Sequence, residues 1–96
     1  MTEVTYVPKD VIDDLIARSE ITVKTLFNKT TVVAMKLPNG FVLVESSSCV
    51  DPHNYDEAVG VQICKQKLEN KLWELEGYRL QERFYMERSF RDAVSS

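Results

Sequence analysis

Apolar positions along the chain change period twice, and each stretch predicts its own kind of element. Val11, Ile12, Leu15 and Ile16 recur every three to four residues between charged positions, which predicts a short amphipathic helix at about Lys9 to Ser19. Pro8 fits its start, where a missing N–H costs nothing, and Asp10, Asp13 and Asp14 suit the positive end of the helix dipole. The period then falls to two. Ile21, Val23 and Phe27 alternate with Thr22, Lys24 and Leu26, a half-buried strand pattern that ends in a turn at Asn28 and Lys29. The β-branched run TTVVAMKL predicts a second strand, which leads directly into Pro38-Asn39-Gly40. Those three residues suit a type I turn closed by a glycine bulge. In that register Leu37 faces Phe41 and Met35 faces Leu43, so Val33, Met35, Leu37, Phe41 and Leu43 share one face of a three-stranded antiparallel meander. The third strand is expected to end near Ser46, with a loop over Ser46–His53.

From Tyr55 the period lengthens again to that of a helix. Asp51-Pro52 reads as a cap and first-turn proline, with a short turn at Pro52 to Asn54. Asn54 and Glu57 have the spacing of a capping box. At 100° per residue Val61, Cys64, Leu68, Leu72 and Leu75 form one stripe, while Tyr55, Val59, Trp73, Leu80 and Phe84 form another on nearly the opposite side. A surface helix of a monomer needs one stripe, so the second predicts a homo-oligomer built through Val59, Trp73, Leu80 and Phe84. Gly77 is expected to kink or break the helix, or to mark a close helix contact. Beyond it, Arg79, Glu82, Arg83, Glu87, Arg88 and Arg91 read as a solvated, ion-paired face, with Phe90 and Val94 left for a contact. The fold class is α+β: a short N-terminal helix, a three-stranded meander and a long C-terminal helix packed on the sheet.

Length and composition bound the rest. Ninety-six residues suit a single domain spanning 1–96 with a thin core. A net charge of −3 lacks the basic surplus that phosphate binding requires, which argues against a nucleic-acid partner. The apolar runs are too short for a membrane span, and the N-terminus has no apolar h-region of a signal peptide. Cys49 and Cys64 therefore read as a reduced cytosolic pair and not as a disulfide.

Several groupings carry candidate chemistry. Cys49, Asp51 and His53 have the residue types of an activated thiol, yet such pairs come from separate elements, and Asp51 already reads as a cap. Cys49, His53 and Cys64 lack the paired spacing and fourth ligand of a structural zinc site. Neither a metal nor another cofactor is expected. The serine run Ser46, Ser47 and Ser48 ahead of a helix N-terminus is the best small-molecule candidate, with His53 and Asn54 adding donors and Trp73 a stacking surface. Serines filling a turn are the simpler reading, and Asp51, Asp56 and Glu57 oppose an anion there.

The runs LPNGF, ESSSCVDP, NYDEAVG and WELEGY together resemble the small tailed-phage protein family named for the gene-49 product of a podovirus and a gene-66 product of a Shigella phage. The likeness covers about residues 19–81 and leaves 82–96 as a helical extension. It implies phage or prophage origin and expression in the host cytoplasm, with no enzyme activity or cofactor to carry over. The expected function is a non-enzymatic accessory protein that binds a host protein. The first alternative is an oligomeric protein that binds or sequesters a nucleotide signal to counter host defence, and the second is a Cys49-dependent enzyme.

Overall fold

The computed structural model describes residues 6–95, with side chains through Arg91. A first helix, α1 (Lys9–Ala17), leads into strands β1 (Glu20–Leu26), β2 (Thr30–Lys36) and β3 (Val42–Ser48); a 3₁₀ turn at Pro52–Asn54 then precedes the long helix α2 (Glu57–Ser95). The architecture is the expected one: three antiparallel strands in the order β1-β2-β3 with the long helix packed on the sheet.

Helix α1 stops two residues before the expected Ser19. The Arg18 N–H bonds to the Asp14 carbonyl at 3.0 Å, and the Ser19 hydroxyl donates to the Leu15 carbonyl at 2.6 Å. These bonds close the last turn and release the chain into β1. Ile12 is the fully buried anchor of α1, supported by Val7 and Ile16.

Both hairpins follow from turn chemistry, with one shift. Leu37 and Phe41 bracket the second turn: Gly40 N–H reaches the Leu37 carbonyl at 2.8 Å, and Leu37 N–H reaches the Phe41 carbonyl at 2.8 Å. Gly40 holds φ +93°, the left-handed position that a glycine bulge requires. The first turn falls one residue earlier than expected. Phe27 and Asn28, at φ 55° and 56°, are its centre, and Lys29 N–H closes it on the Leu26 carbonyl at 3.2 Å. Phe27 therefore leaves the strand alternation and stands 84% exposed. Two consecutive left-handed residues match the right-handed twist of the flanking strands.

Met35 is the centre of the sheet, opposite Ile21 on one side and Leu43 on the other. Thr31, Val33, Met35, Leu37 and Leu43 are buried beneath α2. Phe41 is not among them; it is half exposed, because the glycine bulge turns it out at the hairpin mouth before β3 begins. β3 also runs two residues further than expected. Ser46, Ser47 and Ser48 pair with Val32, Thr31 and Thr30, so the serine run is strand and not loop. The hydroxyls of Thr30 and Ser48 join across the ladder at 2.6 Å.

Helix α2 begins at Glu57 and not at Tyr55, which stays extended. Its cap is Asp56, whose carboxylate accepts the Ala58 N–H at 3.0 Å; the Asn54–Glu57 capping box does not form. A carboxylate beside the helix start satisfies an orphan donor and the dipole together. Gly60, Cys64, Leu68 and Leu72 then form the buried ridge that lies on the sheet. Val61 is half-buried beside the ridge, whereas Leu75 is 38% exposed. A Cβ at Gly60 would overlap the Thr31 hydroxyl and come within 2.8 Å of the Thr31 Cβ, so only glycine lets helix and sheet approach this closely. A methyl group at Gly77 would meet nothing within 4 Å, and α2 passes through that position unbroken. The close contact belongs to Gly60.

Two lysines of α2 guard the free edge of β3. Lys67 Nζ donates to the Ser46 carbonyl at 2.9 Å, and Lys71 Nζ to the Val44 carbonyl at 3.3 Å. Charged groups laid over a strand edge, here from the neighbouring helix, oppose pairing with a foreign strand. Lys71 also meets the Glu45 carboxylate at 2.6 Å, and that hydrogen bond with its charge holds the Glu45 carboxyl below its ordinary range.

The molecule is long: 66 × 21 × 21 Å, with a radius of gyration of 18.3 Å. A compact chain of this length has a radius of about 12–13 Å. The difference is α2, whose 39 residues span about 58 Å against about 23 Å for each seven-residue strand.

Candidate functional site

The end of β3, the 3₁₀ turn and the first turns of α2 enclose an open cleft of about 250 Å³. Ser47, Ser48, Cys49 and Asn54 supply its polar wall; Val59, Gly60 and Ile63 supply the other. The 3₁₀ turn forms because Asp51 caps it, accepting the His53 N–H at 3.0 Å, while Pro52 occupies the first position. The strand end is fixed by the Cys49 N–H on the Lys29 carbonyl at 2.7 Å.

Behind the cleft a chain of hydroxyls ties α2 to the sheet. Thr25 gives its one proton to Glu57 Oε2 at 2.6 Å. Tyr55 Oη, 2.9 Å from Thr25 Oγ1, must then donate to it, and the buried Thr31 hydroxyl, 2.7 Å from Tyr55, donates in turn. The relay runs Thr31, Tyr55, Thr25, Glu57, and every buried side-chain polar atom among the described residues has a partner. Cys64 lies beneath it, its thiol donating to the Thr31 carbonyl at 3.7 Å; burial pushes the Cys64 thiol up, away from the reactive thiolate.

The residues expected to bind a ligand separate in space. Ser47, Ser48 and Asn54 meet in the cleft. The alternation along β3 turns the side chains of Ser46 and Ser48 to the face away from α2, so Ser47 is the serine directed to the helix side. Ser48 borders the cleft at the strand end with its hydroxyl joined to Thr30, and His53 stands 92% exposed beside Asp51. Trp73 is half-buried against the core and does not line the cleft. The sequence pattern did not point to Thr25, Thr31, Tyr55 or Gly60. The available signal was Gly60, one turn ahead of Cys64 on the apolar ridge, where a glycine is costly unless something approaches closely.

The thiol–imidazole pair is not assembled for nucleophilic attack. Cys49 donates its thiol to the Asp51 carbonyl at 3.1 Å, while the His53 ring faces the Asp51 carboxylate at 3.3 Å. Each group is turned to a different oxygen of the same residue. Among the described residues, no three His, Cys, Asp or Glu side chains are placed to hold a metal ion.

The expected oligomer stripe is also divided. Leu80 and Phe84 are half-buried and share a crevice with Tyr6, Val7 and Gly77 of the same chain. With Trp73 on the core, only Val59 of the four is left more than half exposed.

A three-stranded sheet under one long helix, with a polar cleft at the sheet-to-helix junction, defines a small α+β module. The chain belongs to the phage protein (N4 Gp49/phage Sf6 gene 66) family, whose pattern it matches over residues 7–84. That span includes α1 and ends within the second half of α2. No curated protein and no solved structure matches the chain. Among the described residues, no helix is long and apolar enough to cross a membrane.

Proposed function

We propose that this phage protein is a non-enzymatic accessory factor that binds a host protein in the host cytoplasm through the outer face of its sheet. The observation that supports this reading is the exposed apolar strip opposite α2. Val42 and Val44 are each more than half exposed, next to Val32 and Ala34 on β2. Lys36 lies across from Val42, and Lys24 across from Val32. Apolar residues rimmed by charge are the composition of a docking surface. The groups that could do chemistry are meanwhile occupied by caps and turns. The test is capture from host lysate with the wild-type protein and a Val44→Asp variant of unchanged melting temperature. A partner held by the wild type and lost by the variant supports the reading; capture that ignores the substitution, or no capture, sinks it. Cys49→Ala should leave function intact, and loss of function in that variant would restore the enzyme reading.

The cleft favours a second reading, a nucleotide-sized ligand held by Ser47 and Asn54 against Val59 and Ile63. Calorimetry with cyclic and linear nucleotides decides it: binding weakened by Ser47→Ala supports it, and no heat across the panel removes it.

A further inference from the structure

Eighteen residues make about five full turns of an α-helix, so residues that far apart stand in line along it. The buried ridge Gly60, Cys64, Leu68, Leu72 therefore repeats in phase as Tyr78, Glu82, Met86, Phe90. The first set lies on the sheet. The second has outrun it: Tyr78 is 70% exposed, Met86 59% and Phe90 71%. From Gln81 to Arg91 every side chain except Phe84 is exposed. A helical segment of this length without tertiary cover is marginal in water.

We propose that the projecting half of α2 pairs antiparallel with the same segment of a second copy of this chain, with Tyr78, Met86 and Phe90 at the seam. The charges select that occupant. Glu74, Glu76 and Glu82 against Arg79 leave residues 74–82 two charges negative; Arg83, Arg88 and Arg91 against Glu87 leave 83–91 two charges positive. An antiparallel pair lays each acidic half on the basic half of the other copy, whereas a parallel pair sets like charges together. The helix dipoles also oppose in that orientation. The charge boundary, between Glu82 and Arg83, places the two-fold axis there and brings Phe90 of each copy beside Leu75 of the other. The contact is isologous, so it closes as a dimer. This surface is separate from the outer sheet face, and it is not the Val59–Phe84 stripe.

Sedimentation equilibrium of the full chain tests the pairing. The wild type is expected to be a dimer at ~50 µM, and Met86→Glu with Phe90→Glu is expected to raise the dissociation constant at least tenfold without lowering the melting temperature of the sheet core. Orientation is tested by charge reversal. A copy carrying Arg83→Glu and Arg88→Glu, and another carrying Glu74→Lys and Glu82→Lys, should each dimerise weakly alone and recover when mixed. A wild type that stays monomeric, a dimer indifferent to Met86→Glu and Phe90→Glu, or no recovery on mixing would each overturn the proposal.

Discussion

Two stretches of α2 carry the same ridge in the same phase, and one is core while the other is surface. From Gly60 to Leu72 the ridge meets Thr31, Val33 and Met35, and its side chains vanish from solvent. From Tyr78 to Phe90 the ridge meets nothing of comparable extent among the described residues, because the strands end first. Helical periodicity alone does not distinguish the two. What separates them is the length of the sheet.

Truncations on the ridge should give the largest contrast. Leu68→Ala opens a cavity in the thin core and should cost about 2–5 kcal/mol in chemical denaturation. Met86→Ala, the same step five turns later, should change the stability of the monomer by less than about 0.5 kcal/mol. Similar losses at both sites would mean that the projecting half is packed against something within the monomer.

The two helical glycines should differ in sign. Gly60→Ala drives a methyl into Thr31 and should destabilise by about 1–3 kcal/mol. Gly77→Ala has open space around it and should stabilise by up to about 1 kcal/mol through helix propensity. Paired thermal melts give both values, and a stabilising Gly60→Ala would remove the close approach that seats α2.

The smallest expected effect is a pH dependence at the β3 edge. Lys71 holds the folded Glu45 carboxyl below its unfolded value, so the pair stabilises the fold above the unfolded pKa. That contribution disappears as the pH falls through the depressed folded value. Lys71→Met should therefore flatten the acid limb of the stability curve and match the wild type once the carboxyl is protonated. An unchanged acid limb would show that the ion pair contributes nothing measurable.

Local rules made much of the fold legible. Pro38-Asn39-Gly40 dictated its hairpin and the pairing of Met35 with Leu43. Asp51-Pro52 dictated the 3₁₀ turn. The site was legible only in part. The serines were visible, but their placement depended on whether β3 ended at Ser46 or ran to Ser48. That choice rests with Thr30 and Thr31 across the ladder, a long-range pairing. Trp73 looked like a site residue because a projected stripe does not reveal which side the core occupies.

The sequence by itself determined the elements, their order, the hairpin register and the family, because turns, caps and periodicity act over a few residues. Only the tertiary structure decided that Gly60 and not Gly77 is the close contact, that Ser47, Ser48 and Asn54 share one cleft, and that α2 outreaches its sheet. Each of these depends on distances between segments far apart in the chain, and no local pattern encodes them.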